Sequence, residues 1–407
     1  MIEIRKVQTT DGHRIDHFIT SDTDTVIDAS QLMLFPALID PHVHFRVPGG
    51  EHKEDWESGA KAAIAGGVTT VFDMPNNDPP CTTLSHLIAK QKQIEAQIAH
   101  VKIPLRYRLF FGADANHLSE IPKVKEKVVG LKIYMGSSTG SLLMSDRAAL
   151  EEAFRIAADC DLLVAVHAED ERLIQLHRET HKTHQHPSVH SLIRNSDVAA
   201  ASVDLAIELA KKHRVRLYIV HVSSQKELDL IRSAKKEGLS VYAEASPHHL
   251  FLTTSSYDLL GTRALVNPPL RADEDCRALW TAIHDETIDT IGTDHAPHTL
   301  EEKSRPFGSA PSGFPSIELY FSLLLNAYHE KQLSLEQIVS LTHTRPQEIF
   351  DLPLNDDVVL VDLNQKKTVD NSSLKTKAKW SPYAGKVLQG WPRYTVLAGT
   401  LFDLETF

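Results

Sequence analysis

The sequence predicts an α/β fold, namely a (β/α)8 barrel of the TIM type with a small β domain built from both termini. Two observations predict it. From about residue 38, a short apolar or β-branched run, a turn and a longer segment of helical periodicity follow one another, and this unit recurs until eight strand-like runs have passed. That number over a length of about 250 to 300 residues is typical of a barrel. Both ends of the chain instead alternate in the manner of short strands.

The eight candidate strands are apolar or β-branched runs bounded by turn residues: Leu38–His44, Val68–Asp73, Arg106–Phe111, Val129–Tyr134, Leu162–His167, Arg216–His221, Leu239–Glu244 and Ile288–Asp294. The segments between them carry apolar residues at helical spacing: Glu54–Ala65, Leu84–Ala99, Asp146–Asp159, Val198–Lys212, Ser224–Lys236, Asp273–His284 and Ser316–His329. Strands that alternate with helices form a parallel sheet, and in a barrel the reactive groups lie at the carboxyl ends of its strands.

The two ends of the chain are predicted to form one small β domain. Residues 1–36 would supply its N-terminal part, residues 37–345 the barrel, and residues 346–407 its C-terminal part. The histidine-rich run His181–His190 is expected to be a solvated loop.

Composition excludes several classes of protein. Hydrophobic residues make up 42% and charged residues 24%, which are ordinary values for a globular enzyme. The net charge of −11 argues against nucleic acid as a partner. No apolar run is long enough for a membrane span and the start lacks a signal-peptide core, so we expect a cytoplasmic protein. Three cysteines without CxxC spacing fit a reducing compartment, and 23 histidines raise the expectation of metal chemistry.

Polar residues fall where a barrel would bring them together. His42 and His44 end the first strand, and residues i and i+2 of a strand point to the same side, so both can bind one metal ion. Lys132 lies inside the apolar run of the fourth strand. Each of these features alone has an ordinary explanation, such as a chance HxH pair or a snorkelling lysine.

Three further residues end later strands. His167 ends the fifth strand, His221 the sixth and Asp294 the eighth. Alone, either histidine would more often be structural and the aspartate could be a helix cap. Their joint placement with the first three residues at five strand ends predicts a metal site at one mouth of the barrel.

This ordered set resembles the amidohydrolase superfamily with a two-metal centre and, within it, the dihydroorotases of the long-chain bacterial type. The resemblance covers nearly the whole chain. It is carried by these segments: Asp40–Gly49, Ala65–Thr70, Met74–Asn77, Leu131–Gly140, Val166–Glu169, His221–Ser224, Ser246–Leu250, Val266–Arg271 and Thr293–Thr299. Val47 and Ala37 depart from the family pattern, where Glu and Gly are usual, but neither is a ligand.

The resemblance implies a centre of two Zn²⁺ ions per subunit, bridged by N6-carboxylated Lys132 and a hydroxide. His42, His44 and Asp294 would hold the more buried ion, and His167 and His221 the more exposed one. It also implies that Asp294 is catalytic and carries a proton between the hydroxide and the leaving nitrogen.

Arg46 and Asn76 point to the substrate. Arg46 lies two residues past His44 on the same side of an extended chain, and a guanidinium can grip a carboxylate through two hydrogen bonds. Asn76 follows the second strand and could donate another. The resemblance implies that Asn267 and His298 contact the substrate ring. It also implies that Ser312 and Gly313 belong to a substrate-contacting loop, which they match only loosely.

The expected function is therefore the reversible cyclisation of N-carbamoyl-L-aspartate to L-dihydroorotate, a step of pyrimidine (UMP) biosynthesis, by a zinc-dependent hydrolase acting on cyclic amides. A hydantoinase or allantoinase on the same scaffold is the alternative, which Arg46 and Asn76 disfavour because hydantoins lack the equivalent carboxylate. A non-catalytic partner of aspartate transcarbamoylase is a further alternative, disfavoured by the intact ligand set. A homo-oligomer, with a dimer favoured, and an association with aspartate transcarbamoylase are the expected partners besides the small-molecule substrate.

Overall fold

The computed structural model describes residues 1–407 and contains an eight-stranded parallel barrel. The strands of the chain are β1 Ile2–Thr9, β2 Arg14–Ile19, β3 Thr25–Asp28, β4 Met33–Pro36, β5 Leu38–Val43, β6 Val68–Asp73, β7 Arg106–Gly112, β8 Gly130–Tyr134, β9 Val164–His167, β10 Leu217–Ile219, β11 Val241–Ala245, β12 Thr290–Ile291, β13 Val358–Thr368, β14 Val387–Leu397 and β15 Thr400–Asp403. Strands β5 to β12 pair in chain order, each parallel to the next.

The barrel closes where its first strand meets the segment after its last strand. Val43 forms a parallel bridge with His295, and the His44 backbone N–H donates to the His295 carbonyl at 2.8 Å. Since both ends of the eight-stranded sheet meet here, the predicted (β/α)8 barrel is confirmed.

Helices surround the barrel. They are α1 Trp56–Ala65, α2 Leu84–Val101, α3 Ile121–Val124, α4 Arg147–Asp159, α5 Glu171–Thr180, α6 Val189–Ile193, α7 Ser196–His213, α8 Gln225–Lys236, α9 Pro247–Phe251, α10 Ser256–Leu260, α11 Asp273–His284, α12 Leu300–Lys303, α13 Tyr320–His329, α14 Leu335–Val339 and α15 Arg345–Ile349. Side-chain caps fix where several begin: Asp55, Asp146 and Asp170 each accept a backbone N–H of the first turn. No helix combines the length and the apolar character needed to cross a membrane.

A second sheet is built from both termini. Its strands run in the order β15, β14, β13, β4, β1 and β2, and β3 also pairs with β1. The two ends of the chain meet where β4 pairs antiparallel with β13, with Phe35 opposite Val359. The predicted small β structure from both termini is therefore confirmed. The division of the chain at residues 36/37 and 345/346 stays a prediction.

Apolar packing fills the end of the barrel opposite the predicted site. Phe350, which follows α15, packs against Phe72 of β6 and Tyr218 of β10 at ring-centroid distances of 4.8 and 5.1 Å. Ile39 and Phe110 complete this buried cluster. Aromatic and aliphatic side chains therefore separate this end of the barrel from the predicted site.

Two barrel strands are shortened most relative to the prediction. Arg216–His221 reduces to Leu217–Ile219, and Ile288–Asp294 reduces to Thr290–Ile291. The physical reason is that His221 and Asp294 adopt left-handed backbone conformations, with φ of 40° and 45°, which a regular strand cannot include. These departures turn both side chains into the mouth of the barrel.

Candidate active site

All six predicted metal ligands line one cavity at the carboxyl ends of the strands, and the wall also includes most of the predicted substrate residues. Among these lining residues are His42, His44, Arg46, Asn76, Lys132, His167, His221, Asn267, Asp294, Ser312 and Gly313. Tyr134 and Thr139 are further members of the wall. His298 lies outside this lining and contacts Arg46 instead.

His42, His44 and Asp294 form a buried group that could hold a metal ion. The Nε2 atoms of His42 and His44 lie 3.2 and 3.1 Å from Asp294 Oδ1. One ligand atom from each residue falls within 4.8 Å of the others. Three donor atoms that converge at this spacing can surround one cation, so this set fits the first ion that the sequence implies.

The other three predicted ligands lie in the same cavity. His167 Nδ1 and His221 Nε2 face each other at 3.0 Å. Lys132 is fully buried, and its Nζ has no hydrogen-bond partner in the protein. A buried amine without a partner is costly, so the site fits a group that engages Lys132.

Burial lowers the pKa values of several of these side chains and so favours their neutral, metal-binding forms. It lowers the pKa of His44 to about 3 and holds the pKa of His221 well below its ordinary value. The same desolvation lowers the pKa of Lys132 to about 7. Neutral imidazoles keep a nitrogen lone pair for a cation, and a partly neutral lysine is a nucleophilic amine.

Three buried carboxylates that accept hydrogen bonds from the candidate ligands were not predicted from the sequence. Glu244 Oε1 accepts from His42 Nδ1 at 2.8 Å, and Glu169 Oε2 accepts from His167 Nε2 at 2.9 Å. Asp40 accepts the backbone N–H of His42 at 3.2 Å. A signal was available for Glu244, which is a carboxylate at the end of an apolar strand, as Lys132 is an amine within one.

Asn76 contacts a predicted ligand rather than pointing freely into the cavity. Its Oδ1 accepts from His44 Nδ1 at 2.7 Å, and its Nδ2 donates to the Thr139 carbonyl at 2.8 Å. The side chain therefore fixes which nitrogen of His44 faces Asp294. It also ties the loop after β8 to the loop after β6.

Arg46 is buried at the mouth and held along one edge. Its Nε donates to the Pro297 carbonyl at 3.1 Å, and its Nη2 lies 3.2 Å from His298 Nε2. Burial and the neighbouring Arg46 charge keep the pKa of His298 well below its ordinary value, so the imidazole is neutral. The end of the guanidinium, with Nη1 and the second hydrogen of Nη2, stays available to a ligand.

Asn267 is fixed by a residue expected to be solvated. His190 Nε2 lies 2.9 Å from Asn267 Oδ1 and 3.0 Å from the Val266 carbonyl. The prediction of a solvated loop is therefore wrong for His190, because α6 turns its ring against the segment that carries Asn267. Gly313 closes the opposite wall at φ 143°, where a Cβ would overlap the Ala296 carbonyl.

Fold and site together define a barrel enzyme with a metal-type cluster of donors at its catalytic face. Comparison with known proteins agrees. The sequence profile of the Amidohydrolase family matches residues 33–353. A protein of Methanosphaera stadtmanae named dihydroorotase is 33% identical, with 94% of this chain and 88% of that protein covered. The Multifunctional protein CAD of Squalus acanthias is 34% identical over 93% of this chain and 15% of its own length.

Solved structures show the same fold. An L-hydantoinase (dihydropyrimidinase) from Arthrobacter aurescens superposes with a TM-score of 0.92 at 26% identity, covering 99% of this chain and 96% of that one. The chain therefore belongs to the amidohydrolase family, which makes it a hydrolase, and the curated relatives described above include a dihydroorotase.

Proposed function

We propose that the protein is a zinc-dependent dihydroorotase that interconverts N-carbamoyl-L-aspartate and L-dihydroorotate in pyrimidine biosynthesis. The observation that carries the proposal is the buried guanidinium of Arg46 in the same cavity as the His and Asp cluster. Several relatives named dihydroorotase, at 33 to 34% identity over almost the whole chain, support it.

Arg46 suits a substrate carboxylate. Its Nε edge is already used by Pro297 and His298, which leaves the Nη1 and Nη2 end to grip a carboxylate with two parallel hydrogen bonds. Dihydroorotate carries a ring carboxylate for this grip, whereas hydantoins do not. Asn76, Asn267, His298, Ser312 and Gly313 are proposed as the remaining substrate contacts, and Asn76 would make its contact while also orienting His44.

The proposed cofactor is a pair of zinc ions. His42, His44 and Asp294 would hold one, His167 and His221 the other, and Lys132 would bridge them after reaction of its amine with CO₂. Carboxylation would convert an unpartnered buried amine into an anionic ligand with release of a proton, which removes the cost of burying the Lys132 amine without a partner. Zinc in such a site acidifies water and polarises a carbonyl oxygen.

The side chains of the protein would then do three things during ring opening. Arg46 would orient the ring by its carboxylate. Asp294 would take the proton of the attacking water and return it to the ring nitrogen as the amide bond breaks. Burial of the cluster would keep bulk water from the reacting atoms. Ring closure would follow the same path backwards, beginning with the proton on Asp294.

Further proposals concern the setting of the enzyme. The match to a short part of a multifunctional protein supports an association with other enzymes, and we propose aspartate transcarbamoylase as that partner. A homo-oligomer, with a dimer favoured, and a cytoplasmic location are also proposed. We also propose that the chain divides into an N-terminal part of the small β domain (residues 1–36), the barrel (residues 37–345) and a C-terminal part of the small β domain (residues 346–407).

One assay tests the activity. Zinc-replete protein is offered L-dihydroorotate, hydantoin and allantoin side by side, and ring opening is followed by the loss of absorbance of each cyclic amide. We expect dihydroorotate to give the highest kcat/KM. A hydantoinase is the second candidate, favoured by the superposition on the Arthrobacter enzyme, and a preference for hydantoin would replace the first proposal by the second.

A further inference from the structure

The carboxylate of Glu244 lies neither in solvent nor in the wall of the candidate-site cavity. This residue lies on β11 and is fully buried. Its carboxylate accepts hydrogen bonds from three donors, one on β5 and two on β10 or directly after it. Oε1 accepts from His42 Nδ1 at 2.8 Å and from the His221 backbone N–H at 3.0 Å, and Oε2 accepts from the Tyr218 hydroxyl at 2.9 Å.

The contact between Glu244 and His42 determines which ring nitrogen of His42 carries the hydrogen. Because Glu244 is an acceptor, the hydrogen of the His42 ring lies on Nδ1, and the lone pair lies on Nε2. That Nε2 is the atom 3.2 Å from Asp294 Oδ1, in the group able to hold one ion. A carboxylate behind a ligand histidine fixes its tautomer and makes it a stronger donor.

The second contact acts on the other half of the site. His221 has a left-handed backbone with φ 40°, which costs free energy for a residue with a side chain. Glu244 holds the N–H of this same residue. The conformation that turns the His221 side chain towards His167 is therefore braced by the carboxylate that also orients His42.

The surroundings of Glu244 are built to receive its side chain. The Tyr218 hydroxyl, which donates to Glu244 Oε2, lies 2.6 Å from Thr290 Oγ1. This second contact fixes the position of the hydroxyl and so of Oε2. At position 292, a Cβ would overlap Glu244 Oε2, so only glycine leaves room for the carboxylate. Strands β5, β10, β11 and the end of β12 thus meet at one side chain.

We propose that Glu244 is a positioning residue that sets the geometry of both halves of the metal centre, through the His42 ring and the His221 backbone. The inference rests on the proposed function only in taking zinc as the metal. Glu244 does not touch substrate in this arrangement and acts through the two histidines.

The test measures zinc affinity with metal-free protein and a competing chelator, which needs no substrate. Glu244→Gln keeps the shape but offers a neutral and weaker acceptor. We expect the zinc dissociation constant to rise by about 10- to 100-fold, with an unchanged melting temperature of the metal-free protein. A purely structural role would lower that melting temperature and leave the zinc affinity of the folded protein as in the wild type.

Two more variants keep the outcome decisive. Glu318→Gln is the matched control, since Glu318 is half-buried and accepts backbone N–H groups from Lys375 and Thr376 at 2.7 and 3.2 Å. It should bind zinc like the wild type. Tyr218→Phe removes only the hydroxyl that anchors Oε2, and should weaken zinc binding to a smaller degree even if Glu244→Gln does not fold.

The outcomes separate this inference from the proposed activity. Wild-type zinc affinity in Tyr218→Phe and in folded Glu244→Gln, or an equal loss in Glu318→Gln, would overturn the positioning role. A wild-type enzyme that holds zinc but does not open dihydroorotate would instead overturn the proposed function, and the zinc comparison would still decide the role of Glu244.

Discussion

Replacing Arg46 by lysine tests the assignment of the substrate carboxylate. Lysine keeps the positive charge but has no planar fork, so it loses the two parallel hydrogen bonds that the free end of the Arg46 guanidinium can donate to a carboxylate. Loss of one charged hydrogen bond costs about 1.5 to 3 kcal/mol, which lowers kcat/KM for dihydroorotate by about 10- to 150-fold. Zinc content should not change, because Arg46 is not among the clustered donors.

The assay follows ring opening of L-dihydroorotate at several concentrations, together with elemental analysis of the same samples. Arg305→Lys is the matched control, since it makes the same change at an exposed position between α12 and α13. Its kcat/KM should equal that of the wild type. An unaltered kcat/KM in Arg46→Lys would refute the carboxylate grip and return hydantoins to consideration.

Three further predictions concern Lys132, Asp294 and Glu318. Lys132→Ala should lose zinc and activity together in elemental analysis and turnover assays; full activity without added small carboxylates would contradict a bridging lysine. Asp294→Asn should slow ring opening and ring closure by at least about 10²-fold, even in samples that retain zinc, and a nearly active variant would transfer the proton role to another group, with His298 the first suspect. Burial raises the pKa of Glu318 from 4.5 to about 7, so its favourable contribution to the free energy of unfolding is complete below pH 4.5 and declines as pH rises through about 7. Denaturant unfolding across this range should show a loss of up to about 3 kcal/mol that is absent in Glu318→Gln, and parallel pH curves for the two proteins would exclude this linkage.

The barrel, and the convergence of the candidate ligands at one mouth of it, could be predicted because both follow from local pattern. Val68–Asp73 is a strand as predicted, and Asp273–His284 is a helix as predicted, since each has an unbroken period of its own. His42 and His44 share one side of a strand by simple alternation. Convergence with Asp294 then follows from the rule that barrel strands end at one face.

The supporting contacts could not be predicted, since they join residues far apart in sequence. Glu244 meets His42 across 202 positions, and no periodicity marks that pairing. Asn76 is predicted to contact the substrate, and its further hydrogen bonds to His44 and Thr139 could not be predicted because they depend on how the loops after β6 and β8 pack together. Side-chain direction in loops depends on such tertiary packing, to which a single sequence gives no access.

The closure of the barrel at Val43 and His295 bears on how the chain matures. His44 and Asp294 meet across this seam although 250 positions separate them. During synthesis the amino-terminal histidines leave the ribosome long before their aspartate partner, so the nascent protein cannot assemble its first ion-binding group until nearly the entire barrel has emerged. Closing so long a loop is entropically costly and slow. The proposed zinc binding would therefore fall in the final stage of biogenesis, and a ribosome-bound chain that stops before residue 294 should bind zinc more weakly than the full 407-residue chain.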